Sequence, residues 1–256
     1  ITMLRSRIIP CLLIRDKGLV KTTKFSDAKY VGDPINAVKI FNEKLVDELI
    51  VLDIDASKEG REPDYALIKN LASECRMPLC YGGGVSTVEQ AVRISNLGVE
   101  KIAISSSAFR SRGLIEEMVS AIGKQSVVVV VDVKKSLWGG YDVYIENGKT
   151  KVKGSLKAIL SEIERRGAGE VVVNSIDNDG MMKGYDIKLL DIARSELEIP
   201  LTVLGGAGTL EHIREVIEMY HPIGVAAGSL FVVKGKYRAV LINYPSLEVK
   251  KETLLN

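Results

Sequence analysis

The sequence predicts an α/β protein, a (β/α)8 TIM barrel built of two similar half-barrels. Three observations predict it. Eight short runs rich in Val, Ile and Leu alternate with longer amphipathic stretches. The chain has 256 residues, close to the roughly 250 that one such barrel commonly takes. The two halves also repeat each other. PLCYGGGVSTVEQAVRISNLGVEKIAISSSAF at 78–109 matches PLTVLGGAGTLEHIREVIEMYHPIGVAAGSLF at 200–231, an offset of 200 − 78 = 122. DELIVLDIDAS at 47–57 matches AGEVVVNSIDND at 168–179, with Asp55 and Asp177 again 177 − 55 = 122 apart.

Each element follows from local pattern. The first strand is expected at 7–13, RIIPCLL, running into the polar turn RDKG and a long loop that carries Lys21. DPINAVKIFNEKLVDE has apolar residues at 35, 38, 40, 41, 45 and 46, close to a 3.6-residue period, and predicts a helix. Apolar runs at 48–54 and 78–82 predict the second and third strands. STVEQAVRISNLG then opens with Ser86 as a cap and Glu89 three residues on, and stops at Gly98. Further strands are expected at 101–106, 126–133, 170–175, 200–204 and 223–228, with helical patterns between. GTLEHIREVIEMY repeats the capped-helix design near the end. Strands alternating with helices argue for a parallel sheet, and eight of them argue for closure. No G-x-G-x-x-G opens the first helix, which speaks against an open dinucleotide-binding sheet. The whole chain, 1–256, reads as one domain, with half-barrels at about 3–122 and 123–233. A tail at 234–256 ends in GKYRAVLINYPSLEVKKETLLN, which carries a Pro and only a weak helical period.

Composition narrows the function. The formal net charge is +2, with both signs mixed throughout, so neither a nucleic-acid nor a membrane partner is expected. The three cysteines, Cys11, Cys75 and Cys80, are odd in number and lack metal-ligand spacing, and Cys80, in an apolar run, reads as a buried thiol. No metal and no cofactor is expected. No apolar stretch approaches the ~20 residues of a membrane span, and no signal-peptide core is present, so a cytoplasmic location is expected.

Two sets of residues carry the chemistry. Gly-rich turns follow the third and seventh strands, at Gly82-Gly83-Gly84 and Gly205-Gly206-Ala207-Gly208. The fourth and eighth strands end in Ser105 and Ser106, and in Gly228 and Ser229. Glycine lets backbone N–H groups approach an anion, and paired loops of this kind form the usual phosphate site of a barrel. Two such sites on opposite sides suit a ligand with a phosphate at each end. Asp53, Asp55, Asp132, Asp177 and Asp179 lie at the C-terminal ends of strands, where barrel chemistry is done. Asp177 and Asp179 sit in the turn DNDG, where Asp often bonds its own backbone. Asp132 ends a run of five valines and has little local reason to be polar. At the other strand ends stand Arg7, Glu48, Lys101 and Glu170; strand parity allows an ion-paired ring that closes the barrel floor.

Taken together, RIIPCL, GDP, DELIVLDI, GGGV, GAGE, SIDNDG, GYD, GGAG and GSLF resemble the cyclase subunit of imidazole glycerol phosphate synthase, HisF, over roughly residues 3–233. The resemblance implies a barrel with a HisH-like glutaminase docked on its floor. It implies that ammonia passes a ring of four charges, here Arg7, Glu48, Lys101 and Glu170, and travels up the barrel. At the top it meets a phosphorylated substrate. The implied phosphate sites are Gly83, Gly84, Ser105 and Ser106 on one side, and Asp179, Gly180, Gly206, Gly228 and Ser229 on the other. Lys21 matches a lysine that closes over substrate. The family's acid/base pair is two aspartates at the ends of strands one and five. Strand five keeps Asp132, whereas strand one has Leu13; Asp16, three residues on, resembles a loop aspartate of the family.

A general acid or base is worth roughly 10²–10⁴ in rate, and leucine cannot transfer a proton. The resemblance therefore leaves three functions open. The first is an ammonia-using subunit for amidination of a surface-polysaccharide sugar, working with a separate sugar amidotransferase. The second is the histidine-pathway cyclase. The third is a scaffold that conducts ammonia without transforming anything.

Overall fold

The computed structural model describes residues 5–137, 139–235 and 239–254; the extreme ends of the single-domain reading, the start of its first half-barrel and part of the tail lie outside the described residues. Eight parallel strands are β1 (Arg7–Arg15), β2 (Leu49–Asp53), β3 (Leu79–Gly82), β4 (Lys101–Ile104), β5 (Val127–Lys135), β6 (Glu170–Ser175), β7 (Leu201–Leu204) and β8 (Gly224–Ala227). Each pairs with the next, and β8 returns to β1 with Arg7 opposite Gly224. The sheet is a closed (β/α)8 barrel. Closure leaves none of these strands as an open edge.

Among the described residues, the longer helices that follow strands one to seven are α1 (Pro34–Glu43), α2 (Tyr65–Glu74), α3 (Val88–Asn96), α4 (Leu114–Ile122), α5 (Leu156–Arg165), α6 (Ile187–Glu196) and α7 (Leu210–Tyr220). Short side chains start most of them. Asp33, Asp64, Ser155, Asp186 and Thr209 each accept a backbone N–H of the first turn. The cap of α3 differs from the one expected. Thr87, not Ser86, accepts the amide of Gln90, and the Gln90 side chain answers Thr87 and Ser86 amides. The capping box slides one residue because Thr-x-x-Gln competes with Ser-x-x-Glu, leaving Glu89 in the first turn.

Period-two alternation divides the core. Along β1, Ile8, Leu12 and Ile14 face the helices, while Ile9 and Cys11 face the bore. The bore is filled by Ile50, Cys80, Ala103, Val128, Val130, Val172, Leu204 and Ala226 as well. Arg7 lies one step below this layer, and Leu13 and Arg15 lie above it. Glu48, Lys101 and Glu170 share the phase of Arg7; Asp132 and Asn174 share that of Leu13. The floor and the mouth are thus fixed by strand register.

Antiparallel excursions after β1 and β5 extend the mouth. Gly18–Thr23 pairs back on β1 with Leu13 opposite Val20, and then with Ser26–Gly32. The loop expected after the first strand is therefore largely β-structure. Tyr141–Ile145 pairs back on β5 with Asp132 opposite Tyr144.

The tail forms a helix, α8 (Leu247–Leu254), that its weak period does not announce. Polar anchors replace an apolar stripe. Lys250 Nζ donates to Leu45 O at 2.7 Å and pairs with Asp47 Oδ1 at 2.9 Å. Tyr244 Oη donates to Ile8 O at 2.9 Å, and its ring lies against Phe231. Among the described residues no helix is long and apolar enough to cross a membrane.

Candidate functional site

The floor carries a closed ring of charges. Arg7 Nη1 donates to Glu48, and Nη2 donates to Glu170 Oε1 at 2.8 Å. Lys101 Nζ lies 2.9 Å from Glu48 Oε1 and 2.8 Å from Glu170 Oε2. Each cation touches both anions. Thr202, which the sequence reading missed, donates to Glu170 Oε1 at 2.5 Å from within β7. Burial pushes the Glu170 carboxyl up, but Arg7 and Lys101 outweigh it and bring it down to about 2. Burial opposes charge on Arg7 and Lys101, and the two glutamates outweigh that as well, so both titrate above their usual values. Arg7, Lys101 and Glu170 are thus charged at neutral pH. Well-packed apolar residues commonly match or exceed the stability of such a buried network. Stability alone is therefore a weak reason for four charges to face an apolar bore.

Above the bore, the mouth is a pocket at the C-terminal ends of the strands, lined among others by Leu13, Asp132, Asn174, Lys21, Ser105 and Gly206. Asp132 and Leu13 stand on β5 and β1, four strands apart in a ring of eight and so on opposite walls. Asn174 Nδ2 donates to Asp132 Oδ1 at 2.8 Å. Burial is the main force raising the Asp132 carboxyl, to about 7; the Asn174 hydrogen bond partly offsets it and the Asp179 charge adds to it. Part of the side chain stays open to the pocket. Asp132 can therefore exchange a proton near neutral pH, the property an acid/base group needs. Leu13 offers no partner group, and Asp16 adopts a left-handed backbone in the adjoining turn. Asp16 is not among the residues that line the pocket.

The loops expected to hold phosphate surround this pocket. Gly83, Ser105 and Ser106 line one side, and Gly180, Gly206, Gly228 and Ser229 the other. Gly83 has a φ of +119°, and a Cβ there would lie 2.5 Å from Asp53 O, so only glycine fits. Gly84 does not line the pocket; its amide donates to Ser57 Oγ at 3.2 Å. Lys21 Nζ reaches over the second site, 2.8 Å from where a Cβ on Gly228 would stand. A lysine there can neutralise an anion.

Asp179 lines the pocket beside Gly180 and also makes structural contacts. Its carboxylate accepts from Thr22 Oγ1 at 2.8 Å and from the Phe25 amide at 3.1 Å, clamping the first hairpin over the mouth. The other acids at the rim are also engaged. Asp53 accepts the amides of Asp55 and Ala56. Asp55 pairs with Arg15, and Asp177 accepts the Lys135 amide at 2.8 Å. The DNDG acids therefore bond distant segments rather than their own turn. All three cysteines are free; Cys11 and Cys80 are buried, and Cys75 partly so.

A model of the histidine biosynthesis protein family matches residues 7–238. The chain belongs to this family. Within it the chain is HisF-like. It is 56% identical over 253 residues to a Vibrio vulnificus protein provisionally named imidazole glycerol phosphate synthase subunit hisF3, covering 98% of this chain and 97% of the relative. It is 50% identical to a Pseudomonas aeruginosa protein provisionally named subunit hisF2 of the same synthase, covering 96% and 98%. It is 39% identical to imidazole glycerol phosphate synthase subunit HisF of Dictyoglomus turgidum, covering 85% and 86%. The HisF-like barrel thus shares nearly its whole length with these relatives, and its mouth combines the family's barrel with a leucine at position 13.

Proposed function

We propose that this HisF-like barrel is the ammonia-using subunit of a glutamine amidotransferase. A HisH-like glutaminase docks on the floor and releases ammonia beneath Arg7, Glu48, Lys101 and Glu170. The apolar bore carries neutral ammonia and rejects the charged ammonium ion, whose desolvation costs far more. At the mouth the ammonia meets a phosphorylated substrate held by Gly83, Ser105 and Ser106 on one side and by Gly180, Gly206, Gly228, Ser229 and Lys21 on the other. The observation that carries this reading is the axial series of charged floor, apolar bore and proton-exchanging Asp132.

Leu13 directs the finer reading. With one wall of the mouth lacking an acid, the histidine-pathway cyclisation has half of its proton-transfer pair. The ammonia therefore serves another acceptor, an acetamido sugar of a surface polysaccharide, with a separate sugar amidotransferase. The retained phosphate loops and Asp132 favour the second reading, the histidine-pathway cyclase.

Co-expression with a HisH-like glutaminase is expected to give a stable heterodimer that hydrolyses glutamine faster than the glutaminase alone. Separate migration at micromolar concentration would remove the amidotransferase and cyclase readings together.

Lys101→Ala tests the ring. It leaves Glu48 and Glu170 facing each other with Arg7 as their remaining ring cation. An uncompensated buried charge typically costs about 3–5 kcal/mol, so the floor is expected to rearrange or admit water. Ammonia should then escape, and product formed per glutamate released should fall. An unchanged ratio would mean that the ring does not gate.

A further inference from the structure

Asn174 carries an unexplained polar atom. The residue is buried at 6% exposure and faces the bore from β6, in register with Asp132 on β5. Its Nδ2 is spent on Asp132. Its Oδ1 is buried and has no hydrogen-bond partner among the described residues. A buried, unsatisfied amide oxygen costs stability, and Val171, Val172 and Val173 beside it show what an undemanding strand position holds here. An ionised Asp132 accepts only, which fixes the amide with nitrogen toward the carboxylate and oxygen away from it. Directly below, in the same inward phase, lie Val172 and Val130 of the apolar lining. Asn174 and Asp132 are thus the polar groups that β5 and β6 present to a small molecule leaving the bore.

We propose that Asn174 Oδ1 and the Asp132 carboxyl form an ammonia-binding subsite at the junction of bore and mouth. Ammonia has three N–H donors and one lone pair. One N–H is given to Asn174 Oδ1 and another to Asp132, which leaves the lone pair for the electrophilic carbon of the substrate. Asn174 is a positioning residue in this scheme, because it orients both the ammonia and the carboxylate. The subsite rests on the amidotransferase reading for its purpose but not for its existence, so the two can fail separately.

The test needs no knowledge of the final substrate. The full chain, labelled at aspartate side-chain carboxyl carbons and asparagine amides, is titrated by NMR with ammonium chloride at alkaline pH. Potassium chloride at equal ionic strength is the control for a cation of similar size. The expected result is a saturable shift of Asp132 and Asn174 signals with ammonium and none with potassium. Asn174→Val removes the acceptor and should weaken this response by about tenfold, the scale of one lost hydrogen bond. Asn174→Thr keeps a hydroxyl acceptor and should restore part of it. No saturable shift in the native chain, an equal response to potassium, or an unaltered ammonium response in a folded Asn174→Val would each overturn the subsite. Failure to bind a glutaminase would overturn the amidotransferase reading while leaving this titration to decide the subsite by itself.

Discussion

Asp132→Asn is expected to lower ammonia-dependent turnover of the phosphorylated substrate by about 10²–10⁴-fold, the usual contribution of a general acid or base. The substitution is nearly isosteric and keeps an acceptor for Asn174 Nδ2, so the fold should persist. Its effect on pH dependence is more specific than its effect on rate. With the Asp132 carboxyl raised to about 7, a rate that needs its ionised form should climb through that region and level off above it. That limb should vanish in the asparagine variant. Stability should move the other way. A carboxyl whose folded value lies above its unfolded value holds more protons when folded, so the native chain loses stability as pH rises from about 4 to about 7. Asparagine removes that loss. After discounting for the part of Asp132 open to the pocket, the variant should gain on the order of 1–2 kcal/mol at neutral pH and above. Urea unfolding at two pH values checks the sign. A pH–rate limb that persists near 7 in Asp132→Asn would assign the proton transfer to another group.

The elements that were legible in the sequence share a physical cause. A barrel strand exposes its alternation in period two, so charges that interrupt apolar runs at equivalent places stand in one layer. Arg7, Glu48, Lys101 and Glu170 could be grouped on that ground, and the structure places them in mutual contact. Asp132 was conspicuous because valines precede it. Asn174 was missed, although it follows Glu170 and Val172 in the same phase and the alternation would have found it. Thr202 escaped because a threonine in a strand is ordinary. Local reasoning failed for Asp179. Its turn chemistry is overridden by a hairpin 157 residues away, a contact that only the closed barrel creates. The same limit applies to α8, where one buried ammonium on Asp47 and one phenol on Ile8 O replace the apolar period by which a helix is read. The half-barrel repeat reaches into element spacing, with β3 starting at Leu79 and β7 at Leu201, 201 − 79 = 122 residues apart.

Leu13→Asp is expected to raise cyclase turnover by up to about 10²–10⁴-fold over the native chain, because it places a second carboxyl on the wall opposite Asp132. Leu13 already points into the pocket, two residues before Arg15, and Lys21 lines the same space. A carboxylate at position 13 therefore has cations within its surroundings and partial access to water, which lowers the cost of the charge. The change still removes apolar contact with the bore. A stability loss of about 1–3 kcal/mol is expected, within reach of a barrel of this size. Activity and stability should thus move in opposite directions, as they do for Asp132→Asn. In the double variant, Asp132→Asn should cancel the gain, because two acids that work as a pair are not additive. The native rate decides between the readings. Slow native turnover with tight binding of the bisphosphorylated substrate places the loss at Leu13 and leaves the ammonia for another acceptor. Native turnover equal to that of an ordinary cyclase, with Leu13 in place, would return this barrel to histidine biosynthesis and require a different proton donor at its mouth.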